Sequence, residues 1–254
     1  MKNSKFSRLF DVQQSVEISE KDGYRYLHLG SKTVQSAMLI KSPNELVLSY
    51  TKAMMGFLLL REEPKKVLMI GLGGGSLPKY FYHHIPGSDV TVIENNQEVL
   101  TVAKRYFDVP ENNERFKIIV QDGVVWLQGN TNHFDVIMVD GYDESSQVES
   151  LATEKFYFAL WGALGRDGVL VINSWTKEGR LSRNISNLRS SFPEIIIIPA
   201  ERKGNAAILA FKEAVRWPPN RDLQSRAHFL EKKYALDFGR MLTSLKEENQ
   251  YRDK

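Results

Sequence analysis

The sequence predicts an α/β domain built on a doubly wound, mostly parallel sheet, preceded by a small N-terminal antiparallel β region. Two observations carry this. From residue 67 onward, short apolar runs at 67–70, 90–93, 116–120, 134–139 and 169–172 alternate with helical stretches. Runs of this kind, without polar alternation, suit strands buried on both faces, and parallel sheets with crossover helices bury strands in that way. Before them, residues 15–38 form short β-prone runs broken by Lys21-Asp22-Gly23 and Gly30-Ser31, the pattern of a two- or three-stranded meander. The chain therefore divides into a β region at 1–41 and a catalytic-sized domain at 42–254.

The remaining elements follow in order. Ser42-Pro43-Asn44 is a helix-starting signal, and Leu46, Leu48, Tyr50, Met54 and residues 57–60 supply apolar faces before Pro64, so a helix is expected there. A further helix is expected at 180–191. The runs 194–198 and 205–211, separated by Ala200-Glu201-Arg202-Lys203-Gly204, read as an antiparallel pair closing the sheet. Beyond Pro218-Pro219 one or two amphipathic helices lead to a charged tail at 246–254.

Composition narrows the function classes. A chain of 254 residues with 42% hydrophobic and 26% charged content can bury a sizeable core. Its net charge of +3 arises from 34 basic and 31 acidic side chains mixed along the chain, which argues against a nucleic-acid partner. With no cysteine there are no disulfides, thiolate nucleophiles or thiolate metal sites. The positive N-terminus lacks a following apolar stretch, and no window approaches the roughly 18 apolar residues of a membrane span. A soluble, cytoplasmic protein with no membrane partner is expected.

The residues able to carry chemistry fall at the ends of successive strands. The first apolar run enters Gly71-Leu72-Gly73-Gly74-Gly75, where glycine lets the backbone turn sharply and approach a ligand. Alone, this motif is only suggestive, and a structural turn is the lesser alternative. Glu94 ends the next run, where a carboxylate can accept both hydroxyl hydrogens of a ribose, and the pair suits either a nicotinamide or an adenosyl-sulfonium cofactor. One strand later Asp122-Gly123 puts a carboxylate near where an adenine amine would lie, which favours the adenosyl-sulfonium choice. Asp122 can also cap the helix that follows. The fourth run ends in Asp140-Gly141-Tyr142-Asp143-Glu144. An amine nucleophile must lose a proton before it attacks carbon, and a carboxylate there can attract the ammonium and take that proton; Asp140 can instead cap a loop. Trp175, after the fifth run, either lines a pocket or packs. His83-His84 are adjacent on a helix, point apart and have no partner at ligand spacing, so no metal site is expected.

In order and spacing these motifs resemble the spermidine synthase family of aminopropyltransferases, over roughly residues 24–211. The resemblance implies a sheet of the class I S-adenosylmethionine methyltransferase type and decarboxylated S-adenosylmethionine as co-substrate, with no permanently bound cofactor. It implies that Gly71, Gly73, Gly74, Gly75 and Glu94 hold the donor, with Glu94 on its ribose, that Asp122 and Gly123 contact adenine, and that Gln35 lies near the sulfur. It makes Asp140 the general base toward a polyamine acceptor such as putrescine, with Asp143 supporting the amine, and it implies a homodimer. Two departures concern the acceptor: Ser76 stands where the family has an amine-binding aspartate, and Glu144 where it has a proline. The family's Tyr-His pair has no counterpart either, since Tyr50 is followed by Thr51 and Lys52. Two rival readings share the scaffold: an S-adenosylmethionine-dependent methyltransferase, and a non-catalytic homologue that keeps the cofactor pocket.

Overall fold

The computed structural model describes residues 16–31, 33–130, 133–141, 148–177 and 179–249. The N-terminal strands β1 (Val16–Lys21), β2 (Tyr24–Leu29) and β3 (Val34–Leu39) form an antiparallel meander. Its first turn has Asp22 at φ 54° and Gly23 at φ 81°, the positive pair that a tight hairpin needs and that Asp-Gly adopts at low cost.

The main sheet has seven strands in the order β6-β5-β4-β7-β8-β10-β9. These are β4 (Lys66–Ile70), β5 (Asp89–Glu94), β6 (Phe116–Val120), β7 (Phe134–Val139), β8 (Leu164–Trp175), β9 (Glu194–Pro199) and β10 (Asn205–Phe211). Strands β4 to β8 are parallel, and β10 runs antiparallel between β8 and β9. Within β4, Val67 and Met69 enter one apolar core while Leu68 and Ile70 enter another on the opposite face. Two buried faces are why the run is apolar at every position.

After β4 the chain winds outward through β5 and β6, then returns to place β7 on the other side of β4. In open sheets the crevice beyond the strand ends at such a reversal is where ligands bind. Two backbone bonds shape that edge here: Gly71 N–H donates to Ile93 C=O at 2.9 Å, and Asp140 N–H donates to Ile70 C=O at 3.0 Å. The helices that pack on the sheet include α2 (Ser76–His84), α3 (Gln97–Tyr106), α4 (Gly123–Gly129), α5 (Glu154–Ala163) and α6 (Arg180–Leu188). Beyond Pro219 lie α7 (Asn220–Tyr234) and α8 (Phe238–Glu248). Among the described residues no helix is long and apolar enough to cross a membrane.

The helix expected from Ser42 onward begins later: α1 spans Ser49–Met54 and continues as a 3-10 turn, Met55–Leu59. The backbone of residues 42–43 is committed elsewhere. Ser42 bridges to Leu39, and the Pro43 carbonyl accepts a bond from Lys79 Nζ at 2.7 Å, so the starting signal is used to close a loop.

Lys79 itself is 1% exposed. Its ammonium also donates to the Phe107 carbonyl at 2.6 Å and contacts Met38 Sδ at 3.3 Å, tying α2 to β3 and the end of α3. Burial draws its pKa down from 10.5 to about 8, against the pull of Asp108. The unfolded chain therefore holds one more proton between these values, and stability rises with pH across that window. Between pH 8 and pH 10 the parent should gain about 2 kcal/mol relative to Lys79→Met, from the shift converted at 1.36 kcal/mol per unit. Urea denaturation of both proteins at the two pH values checks this, and parallel pH dependences would refute it.

Candidate active site

Gly71 leaves β4 at φ 100°, and a Cβ there would lie 2.3 Å from the Asp140 carbonyl oxygen. Only glycine allows the first and fourth strand ends to meet so closely. Gly75 enters α2 at φ 71°, with a would-be Cβ 2.5 Å from Val109. Between them, the Gly74 N–H donates to Ser36 Oγ at 2.9 Å, joining the turn to β3. Gly71 and Gly73 line a cavity of about 560 Å³ beyond the strand ends. Gly74 and Gly75 are not among its lining residues; they pack against Ser36, Phe107 and Val109 and give the turn its shape.

Glu94 faces the same cavity at 7% exposure. Its Oε2 accepts from the Leu72 N–H at 2.9 Å and its Oε1 from the Asn96 N–H at 2.8 Å. Asn96 in turn caps α3, its side chain accepting from the Glu98 N–H at 2.8 Å. One carboxylate thus pins the glycine turn to the start of α3. Burial pushes its pKa up, while these backbone donors favour the charged form. The Gly73 and Asn95 backbone N–H groups also act on this carboxylate, so Glu94 is held from four backbone positions at the cavity wall.

Asp122 and Gly123 line the cavity's far side. Asp122 also caps α4, its Oδ1 accepting from the Val125 N–H at 2.9 Å. Capping and ligand contact are therefore compatible, because the cap occupies one oxygen. Asn is as good a cap as Asp, but if this position accepts from an adenine amine, as the family resemblance implies, it would present an N–H₂ there instead. Asp122→Asn is expected to keep the parent's melting temperature while weakening adenosyl-ligand binding by about tenfold, the worth of one hydrogen bond to a charged group. Calorimetry with methylthioadenosine and a thermal melt test both halves.

A second cavity, of about 700 Å³, lies beyond β3, α1 and β8, and it shares Gln35 and Asp140 with the first. Asp140 sits at that common wall, immediately after β7. Its Oδ2 accepts from the Tyr50 hydroxyl at 3.0 Å and its Oδ1 from Asn173 Nδ2 at 2.8 Å. Asn173 Oδ1 accepts from Asn205 Nδ2 at 2.9 Å, so β10, β8 and α1 together aim this carboxylate. Burial raises its pKa above the ordinary aspartate value, and the Asn173 and Tyr50 donors oppose the rise. Trp175, the last residue of β8, lines the second cavity, with the Arg180 guanidinium 5.9 Å from its ring centre.

Other expected residues fall differently. Ser76, first in α2, borders a small hollow of about 20 Å³ behind Tyr50 and Asp140, outside the lining of either large cavity. Asp143 lies outside the described residues. His84 faces Glu45 at 3.4 Å. Among the described residues no cluster of histidine and acids could hold a metal ion. Tyr50, Asn173 and Asn205, which support Asp140, are not among the expected site residues. Tyr50 stands against the family's Tyr-His pair without the histidine, and the asparagines offer only a polar side chain at the end of one apolar run and the start of another.

Comparison with known proteins places this geometry. The spermine/spermidine synthase domain matches residues 47–198, spanning both cavities' central residues from Tyr50 to Trp175. A polyamine aminopropyltransferase of Neisseria meningitidis is 40% identical over 236 residues, covering 92% of this chain and 90% of that protein. One from Chromobacterium violaceum is 38% identical over 241 residues, covering 94% and 92%. The crystal structure of a probable spermidine synthase from Corynebacterium glutamicum superposes with a TM-score of 0.73 over 90% of this chain and 88% of that one, at 16% identity, a likeness of fold. With a sequence match of that length and identity running through the glycine turn and the strand-end acids, the chain belongs to the spermine/spermidine synthase family.

Proposed function

We propose that the protein transfers the aminopropyl group of decarboxylated S-adenosylmethionine to the nitrogen of a primary amine, with putrescine as the reference acceptor, and releases methylthioadenosine. The observation that carries this reading is Asp140 on the wall between two cavities, both of its oxygens held by neutral donors. The relatives named polyamine aminopropyltransferases support it.

In this reading the first cavity takes the donor, with Glu94 on the ribose, Asp122 and Gly123 at the adenine, Gly71 and Gly73 along the chain, and Gln35 beside the sulfur. The acceptor amine enters the second cavity and gives its proton to Asp140. Its freed lone pair attacks the aminopropyl carbon; the carbon–sulfur bond breaks, and its electron pair neutralises the sulfonium to a thioether. The leaving group is already activated by its charge, so the protein's work is to align nitrogen, carbon and sulfur and to hold the base. Burial that raises the Asp140 pKa makes it a stronger proton acceptor once ionised.

The test is incubation with decarboxylated S-adenosylmethionine and putrescine, with chromatography for methylthioadenosine and the lengthened amine. Appearance of both supports the reading. Formation of S-adenosylhomocysteine from S-adenosylmethionine, with no methylthioadenosine from the decarboxylated donor, would replace it with methyl transfer.

A further inference from the structure

Asn173 and Asn205 stand on neighbouring antiparallel strands. Asn173 pairs with Ala207, and Trp175 pairs with Asn205, across β8 and β10. The two asparagines are therefore diagonal neighbours on one face of the sheet, an arrangement in which long side chains reach each other. Asn173 is 3% exposed. Its Nδ2 donates to Asp140 Oδ1 at 2.8 Å, and its Oδ1 accepts from Asn205 Nδ2 at 2.9 Å. The Tyr50 hydroxyl donates to the other Asp140 oxygen at 3.0 Å.

A carboxamide has one accepting end and one donating end, of nearly the same size. Packing therefore cannot choose which end of Asn173 faces Asp140; its hydrogen-bond partners must. A turn of the amide would put Asn173 Oδ1 against Asp140. An ionised carboxylate only accepts, so that contact sets two acceptors together, whereas a protonated carboxyl could donate to it. The turned amide thus favours the form of Asp140 that cannot take a proton. Asn205 Nδ2 opposes the turn from the far side, because two N–H₂ groups would then meet.

We infer that Asn205 is a positioning residue for the base: by holding the Asn173 oxygen, it keeps the Asn173 N–H₂ on Asp140 and the carboxylate ready to accept a proton from the acceptor amine. Its role rests on the proposed reading of Asp140 as that base. Asn205 also lines the second cavity, so lost turnover alone would not separate positioning from contact with the acceptor. The ionisation of Asp140 does. Other titratable groups surround this carboxyl. Glu94 and Asp122 line the first cavity with it. Tyr24 and Tyr26 of β2, Lys52 of α1, Lys177, and Glu201, Arg202 and Lys203 of the turn before β10 line the second. Asp143, Glu144 and Glu178 lie outside the described residues. Neutral substitutions at the two asparagines leave all of these charges in place.

The experiment is NMR titration of the side-chain carboxyl carbons in protein labelled on aspartate, with the Asp140 resonance assigned by its loss in Asp140→Asn. Asn173→Leu, close in shape and without a donor, should raise the pH at which Asp140 ionises by about one unit, the scale of a hydrogen bond to a charged group. Asn205→Leu frees the Asn173 amide to turn and should raise it by about half a unit. The double variant should titrate where Asn173→Leu does, because Asn205 acts through Asn173. A midpoint unmoved or lowered by Asn205→Leu, or shifts that add in the double variant, would overturn the role. Thermal melts and calorimetry with methylthioadenosine check that each variant is folded, and Asn205→Ala carries the same expectation should the leucine variant unfold. Because ionisation is read without turnover, the result is separate from the aminopropyl reading, which fails instead if no amine yields methylthioadenosine from the decarboxylated donor.

Discussion

Asp140→Asn is expected to slow methylthioadenosine release by about a thousandfold, within the range for loss of a positioned general base, while the protein stays folded and its affinity for methylthioadenosine is kept. The hydrogen-bond pattern around the side chain makes this a clean substitution. Asn173 Nδ2 can still donate to the remaining oxygen, and the Tyr50 hydroxyl, now donating to Oδ2, can rotate to accept from the new amide. What is lost is the ability to take a proton. The pH profile provides a second readout. If Asp140 is the base, as proposed, it works only when ionised, and burial raises its pKa. The parent's kcat/KM should therefore climb with pH along a limb lying above the ordinary carboxylate range, and the variant should lack that limb. A variant with parental rate, or one that is slow but keeps the limb, would remove Asp140 from the role of base.

Glu94→Gln should act on binding and stability together. Its two oxygens accept from the Leu72 and Asn96 N–H groups, and backbone donors cannot reverse their direction. A glutamine has one oxygen, so one of these buried N–H groups loses its acceptor and meets another N–H, at a cost of about 1–3 kcal/mol. The glycine turn and the start of α3 would then separate. If the carboxylate also holds the ribose hydroxyls, as proposed, methylthioadenosine affinity should fall by about a hundredfold, the scale of losing charge-assisted bonds. Calorimetry and thermal denaturation measure the two effects. A loss of stability with affinity intact would leave Glu94 as a clamp for the turn and take it out of donor binding. Asp140→Asn and Glu94→Gln thus separate the chemical step from assembly of the site.

The strand-end acids were readable in the sequence because their placement depends on local patterning. Each apolar run, buried on both faces of the sheet, must end where the sheet does, so the polar residue that follows is delivered to the ligand edge. That logic puts Gly71, Glu94, Asp122 and Asp140 at the ligand edge, and the polar turn at 200–204 marks the closing pair β9 and β10. It failed at Ser42, where a helix-start signal is spent on a loop whose carbonyl caps Lys79, because a long-range partner outranks local propensity.

What only the tertiary structure decided is which side chains meet. The Tyr50–Asp140 bond spans 90 residues of sequence, and the Asn205–Asn173 and Asn173–Asp140 bonds each span more than 30. No periodicity records such contacts, since their proximity comes from strand order and not from chain spacing. By itself the sequence determined the sheet, its ligand edge and the acids along it, because burial and strand length are local constraints. The pairing of Asp140 with its supports waited on the way β10, β8 and α1 pack together.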